Sequence, residues 1–394
     1  MAETTWTRFI PSPRIGAWIL IALTLTLLLI RYPANPGSYR YALPTDYSVY
    51  LRARDRANFG ENPYQAADSS PYKYSPGVLA LVSALPRSPV DSWIVFSSLS
   101  IFGLAIALVV GARFPSWKSV LFVPIGLALA WKGILETLDY GQLELIILLI
   151  VVMAAALRRR HPLIAGFLAG TLPWFKLPWL LLGLPLILGN VASVQGPGRK
   201  EKKLRLVISG YLFSWFVLGA AVPSLVFGPE RAMQLTQGWI ALLRNQPHAL
   251  YFSEINQSVW ISSMRWIGGN PLVPIGLVAC AAGYILGAFI SRSLRLVSNR
   301  DVFAWLSPWL ILTQLLNPLS WRWGSVFLVG APFAIAAGSN RSKPFRITMG
   351  IFALIFFLLQ MNPVVQALGY HHWSDFHGYG VVTGYWISLL LLCL

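Results

Sequence analysis

Acidic residues are scarce in this chain, and cysteines are scarcer. Two cysteines occur among 394 residues, Cys280 and Cys393, both in apolar stretches. Neither sits in a metal-ligand or redox spacing, so no disulfide framework or metal site is spelled out. A glycine-rich phosphate loop, a Ser-His-Asp arrangement and a nucleotide-binding fingerprint are missing as well, which disfavours an enzyme using a nucleotide-sugar in the cytoplasm. Charged residues make up 11% of the chain against 56% hydrophobic, and the mean hydropathy is +0.60, which excludes an ordinary soluble domain. Of the few charges, 31 are Lys or Arg and 14 are Asp or Glu, a formal net charge of +17. The excess does not mark a nucleic-acid-binding face, because the basic residues lie between hydrophobic spans. It reads as membrane topology and attraction to anionic lipid.

What the chain does have is a series of apolar runs, many near the roughly 20 residues a helix needs to cross a bilayer. Helices are expected near 15–31, 91–112, 119–136, 142–157, 162–175, 177–190, 204–227, 270–291, 301–316, 322–338, 346–362 and 378–393. That gives an all-α, polytopic transmembrane bundle of roughly twelve helices in a single domain over 1–394, without repeat or soluble insert. The first run is long for a signal-peptide core and is followed by Arg31-Tyr32-Pro33, a poor cleavage site, so it reads as an uncleaved helix.

Basic loops set the orientation. With both termini cytoplasmic, the inner side holds Arg8, Arg14, Arg113, Lys118, Arg158-Arg159-Arg160, Arg199, Lys200, Lys202, Lys203, Arg205, Arg292, Arg295, Arg300, Arg341, Lys343 and Arg346. The outer side then has long segments at about 32–90 and 228–269 and a shorter one near 363–377, with most of the acids. In the first of these, the stretch from Asp46 to Gly60 reads as an interfacial helix stopped by the glycine. The stretch at 76–85 is too short to span and fits a position along the membrane.

The candidate chemistry lies on that outer side. Asp46, near a helix start, should stay ionised and can serve as a general base, although on position alone a plain helix cap is the commoner role of such an aspartate. Tyr72 and Tyr74, in Tyr72-Lys73-Tyr74-Ser75-Pro76, fit an interfacial aromatic belt first, and otherwise a surface that stacks on a sugar or guides a lipid chain. Glu136, Asp139, Gln142 and Glu144 surround a turn between two apolar helices; they either bind sugar hydroxyls or form a solvated turn. Lys176, Arg265 and Arg322 are cations on the outer side, either a clamp for a lipid phosphate or side chains snorkelling to headgroups. His371, His372 and His377 near Asp375 fit an interfacial loop better than a metal site, because adjacent histidines on a helix face different ways.

Taken in order, these pieces resemble glycosyltransferase family 87, bacterial membrane enzymes of the GT-C class that use polyprenyl-phosphate-linked mannose. The resemblance rests on Asp46, Tyr50 and Gly60-Glu61-Asn62-Pro63-Tyr64; Tyr74-Ser75-Pro76; Gly141-Gln142; Gly166 with Lys176; Asn256-Gln257-Ser258 with Arg265; and Pro318-Leu319-Ser320-Trp321. It implies a GT-C fold in the bacterial inner membrane, Asp46 as the catalytic base, and Lys176 and Arg265 at the donor phosphate, to which Arg322 adds a further cation. Tyr50, Tyr72, Tyr74, Asp139, Gln142, Glu144, Asn256 and Gln257 are then the expected substrate contacts. The implied partners are a polyprenyl-phosphate-linked sugar, a glycolipid or glycan acceptor and membrane lipids, with no cofactor and no metal. One displacement at the sugar implies inversion. Where the family often has a histidine shortly after the Ser-Trp pair, this chain has Arg322-Trp323. Two rival readings stand beside this one: a lipid or glycan transporter, and a scaffold that keeps the fold without the chemistry.

Overall fold

The computed structural model describes residues 13–32, 44–64, 72–112, 117–183, 197–245, 302–316, 322–337, 342–360, 367 and 381–393. Within these, every regular element is helical. Numbered in chain order, the helices before the first basic cluster are α1 (Pro13–Arg31), α2 (Thr45–Asn58), α3 (Pro76–Ser83), α4 (Pro89–Ala112), α5 (Trp117–Tyr140) and α6 (Glu144–Leu157). After it come α7 (Pro162–Phe175), α8 (Pro197–Phe216), α9 (Val222–Phe227) and α10 (Pro229–Arg244). The last are α11 (Val302–Leu316), α12 (Ala331–Ala337), α13 (Lys343–Leu358) and α14 (Val381–Cys393).

Among the described residues, three stretches are long and apolar enough to cross a membrane: Pro89–Ala112, Val120–Tyr140 and Gly198–Phe227. The last joins α8 to α9 through a π-helical segment, Val217–Ala221. Large apolar side chains stand exposed on the outside of these helices, among them Leu99, Phe102, Ile106, Leu212, Phe213 and Phe216. Such a surface is a liability in water and ordinary in hydrocarbon.

The expected boundaries hold where start and stop signals are strong. The expectation of 162–175 matches α7, which opens with Pro162 in its first turn, where the missing N–H costs nothing. The helix expected from Asp46 to Gly60 appears as α2, and Gly60 ends it with φ +80°. There Gly60 N bonds Ala57 O at 3.2 Å and Glu61 N bonds Arg56 O at 2.8 Å, the paired bonds of a Schellman ending. Three expectations are corrected. The helix expected over 177–190 begins as a 3₁₀ turn, Leu177–Leu182, after Lys176 breaks from α7 in an extended conformation. The stretch expected at 322–338 is 3₁₀ from Arg322 to Gly330 before turning α-helical. The segment after 228 was read as outer loop, yet it forms α10. The expected helix at 270–291 and the histidines at 371, 372 and 377 lie outside the described residues.

Glycines bring two helix pairs into backbone contact. Gly166 and Gly170 lie one turn apart on α7 and face Gly210 on α8. A Cβ on Gly166 would stand 2.1 Å from Val207 O, and one on Gly210 would stand 2.0 Å from Leu163 O. This is small-residue packing of the kind that joins helices in lipid, where apolar side chains gain nothing by leaving the solvent. A similar approach seats α5 on the 3₁₀ segment, since a Cβ on Gly126 would stand 2.0 Å from Val329 O.

The up-and-down run of α5, α6 and α7 separates the two kinds of charge. Glu144 opens α6, and Arg158-Arg159-Arg160 follow its other end, about 21 Å away at 1.5 Å per residue. Lys203, on the basic first turns of α8, donates to Arg159 O at 3.0 Å, so these cations gather at that far end. α7 then returns, bringing Lys176 back to Glu144.

A candidate active site at the acidic end of the bundle

Asp46 stands in the first turn of α2, but it does not cap it. The capping position belongs to Pro44, and no side chain caps the turn. The carboxylate instead accepts a hydrogen bond from Gln142 Nε2. Gln142 reaches it from the turn between α5 and α6, whose form depends on Gly141. Gly141 has φ +73°, with Gly141 N bonding Leu138 O at 3.2 Å and Gln142 N bonding Thr137 O at 2.7 Å. A Cβ there would also lie 2.6 Å from Tyr47 Cβ. The Gly-Gln pair therefore has a physical reason: glycine lets the turn close on α2, and glutamine is the residue it delivers.

Gln142 is 5% exposed and both ends of its amide are used. Its Oε1 accepts from Tyr74 Oη at 3.2 Å, and Tyr74 Oη accepts from Tyr50 Oη at 2.8 Å. Gln142 is thus held in place by protein groups at both ends of its amide. Glu144, 3% exposed, opens α6 and pairs with Lys176, the residue that closes α7. Lys176 also stands 6.0 Å from the centroid of the Tyr74 ring. It is therefore engaged inside the protein and does not snorkel to a headgroup. The second oxygen of Glu144, Oε2, is buried without a hydrogen-bond partner among the described residues.

Burial dominates the electrostatics of Asp46. It raises the carboxyl above its usual range, with Lys176 as the largest opposing influence, Glu144 adding to the rise, and Gln142 and Lys73 opposing it. Desolvation thus works against the ionised form that a helix start favours, and the two lysines and the amide work for it. Burial likewise pushes the Tyr74 phenol up to about 12, so it remains a hydrogen-bond donor at neutral pH.

Tyr72 is 2% exposed, which overturns the aromatic-belt reading for it, and Tyr50 beside it is 2% exposed as well. With Tyr47, Tyr74, Trp93 and Phe96 they form an aromatic cluster, in which the Tyr50 and Tyr74 rings meet edge to face 5.1 Å apart and Trp93 stacks on Phe96. The Tyr64 and Tyr72 hydroxyls are buried and have no partner among the described residues. Asp139 takes no part in this arrangement. It is exposed, accepts from Tyr32 Oη at 2.8 Å and lies 3.7 Å from Arg31. The turn it precedes is not solvated, as Gln142 and Glu144 are both buried.

Sequence reasoning passed over Lys73. It is half-buried and makes no ion pair among the described residues. Burial pulls its ammonium below the usual lysine value, with Asp46 opposing and Lys176 adding. Its backbone is held by α10, where Trp239 Nε1 donates to Lys73 O at 3.0 Å and the Trp239 ring stacks on Trp174 at 5.7 Å. Two signals pointed here: its place between two tyrosines, and the Gly228-Pro229-Glu230 start of the helix that holds it. Arg265, Asn256 and Gln257 lie outside the described residues, as does the Arg322 side chain. Among the described residues, no three His, Cys, Asp or Glu gather as metal ligands.

A half-buried carboxylate held by an amide, with two lysines acting on it, can accept a proton from a hydroxyl while the lysines stabilise an anion. The model of glycosyltransferase family 87 matches residues 72–319. The match takes in Lys73, Tyr74, Gln142, Glu144 and Lys176; α2 with Asp46 precedes it. No curated protein gives a significant match.

Proposed function

The chain belongs to glycosyltransferase family 87, a membrane protein by its apolar helices, and we propose that it moves mannose from a polyprenyl-phosphate carrier to an acceptor hydroxyl. The observation that carries this reading is the placement of Asp46 beside Lys73 and Lys176, at the end of the bundle opposite Arg158-Arg159-Arg160. By the positive-inside tendency the basic end is cytoplasmic, so transfer occurs on the outer face, in a bacterial inner membrane by family resemblance. The same resemblance gives the architecture as GT-C, with roughly twelve helices in one domain.

Asp46 takes the proton of the acceptor hydroxyl as that oxygen bonds to the anomeric carbon. The bond from that carbon to the phosphate oxygen breaks, and the electron pair leaves on polyprenyl phosphate. One displacement inverts the sugar. No second carboxyl acid is required, because cations stabilise a phosphate leaving group. Lys73 is the cation best placed to do so, since Glu144 already holds Lys176; Lys176, Arg265 and Arg322 complete the set. The unpartnered Glu144 Oε2 suits a sugar hydroxyl, and Asn256 and Gln257 are further substrate contacts. The clustering of polar groups at one end of the bundle supports an enzyme over a transporter, whose site is expected near the bilayer midplane.

The test is transfer from radiolabelled polyprenyl-phosphate-mannose by the purified protein supplied with a membrane glycolipid extract. Labelled glycolipid is expected. Bound donor that yields no product with any acceptor extract would count against the reading. In the same assay, Lys73→Met is expected to raise the donor KM about tenfold or more, the roughly 1.5 kcal/mol of one charged hydrogen bond. Lys73→Arg should keep most of the affinity. An unchanged KM in Lys73→Met removes Lys73 from the phosphate site.

A further inference from the structure

We propose that Tyr74 and Gln142 are positioning residues that fix which oxygen of Asp46 meets the acceptor, with Tyr50 completing the chain behind them. This rests on the reading of Asp46 as the base. The logic starts from the one member that can only accept. An ionised carboxylate has no donor, so the amide facing it presents its NH₂ group, and Gln142 Oε1 must then point the other way. Tyr74 Oη, 3.2 Å from that oxygen, is thereby the donor, and its own lone pair accepts from Tyr50 Oη at 2.8 Å. Every bond in the series Tyr50, Tyr74, Gln142, Asp46 runs in one direction, from three separate stretches of chain. The amide cannot rotate by half a turn without placing its carbonyl against the carboxylate and its NH₂ against the Tyr74 proton. Asp46 Oδ2 is thereby occupied, and Oδ1 is the oxygen left for the substrate.

The charged and titratable groups that act on Asp46 are Lys176 from the end of α7, Glu144 from α6, and Lys73 before α3, with Tyr50 and Tyr74 beyond the amide. The two lysines and the amide favour the carboxylate, whereas Glu144 and burial favour the acid. Loss of the amide proton therefore moves the balance toward the acid.

The experiment measures kcat/KM against pH for wild type, Tyr50→Phe, Tyr74→Phe, Gln142→Leu and Asp46→Asn. Tyr74→Phe removes a single oxygen from a packed ring. It is expected to lower kcat about tenfold, to move the acid limb to higher pH, and to leave the donor KM within about twofold. Gln142→Leu should move the limb further, and Tyr50→Phe less than either. A merely structural role lowers activity without moving the limb, and that result overturns the proposal, as does a wild-type profile in both Tyr74→Phe and Gln142→Leu. Asp46→Asn separates the two readings. If it retains activity, the base assignment fails and this inference goes with it. If it is inactive while the limb stays in place in the other variants, the positioning role alone fails.

Discussion

Asp46→Asn is expected to reduce sugar transfer by about a thousandfold or more while leaving the protein folded and able to bind donor, the range general-base removal produces. The substitution is nearly isosteric, and the new amide oxygen still accepts from Gln142 Nε2, so the contact between α2 and the turn after α5 is kept. What it removes is the basic lone pair. Loss of negative charge beside Lys73 and Lys176 should tighten the hold on an anionic donor if it changes it at all. Single-turnover transfer at saturating donor, with donor binding measured separately, distinguishes these effects. Equal product from both proteins removes Asp46 from the mechanism. In the wild type, the sign of the pH dependence follows from burial. The carboxyl sits above the ordinary range, and a base must be deprotonated, so activity rises with pH through a limb higher than that of an exposed aspartate.

The second large effect concerns stability. Lys176→Met is expected to destabilise the folded protein by about 3 kcal/mol, because it leaves the Glu144 carboxylate buried without its cation. The Glu144 side chain is 4% exposed and that of Lys176 24%, so water shields little of the loss. The double variant Glu144→Gln with Lys176→Met should recover most of the stability, since both charges are gone. Thermal melting in detergent measures the first effect and the recovery. Transfer should stay low in the double variant if, as proposed, Lys176 faces the phosphate and Glu144 the sugar. If the single variant melts with the wild type, the pair contributes nothing to folding.

Much of the scaffold was legible because helices announce themselves locally. Pro162 opens α7, Gly60 closes α2, and apolar runs reveal the membrane-length stretches of α4 and α5. The expected start at 204 for α8 fell short of Pro197, because hydropathy sees only the apolar part, while Lys and Arg are good helix formers. The site was legible only as a set of residue types near one face. Asp46 and Gln142 are 96 positions apart, and Glu144 and Lys176 are 32 apart. No local pattern says that the second pair is spoken for, or that Lys73 is left over. Tyr72 shows the same limit, since an aromatic beside a membrane reads the same whether it lies at the interface or packs beneath a helix.

The π-helical segment Val217–Ala221 links these long-range contacts to a single inserted position in the chain. A π turn holds one residue more than an α turn, so the helix beyond it is offset by about 100° from where an unbroken helix would place it. Gly77 of α3 sits against this segment, where a Cβ would stand 2.3 Å from Leu218 O. Beyond it come α9 and α10, and on α10 stands the Trp239 whose indole holds Lys73. Deleting one residue between 217 and 221 would straighten the helix and turn α10 away from the loop it grips. A cation would then be misaimed by a change in angular phase alone, with every side chain of the site still present.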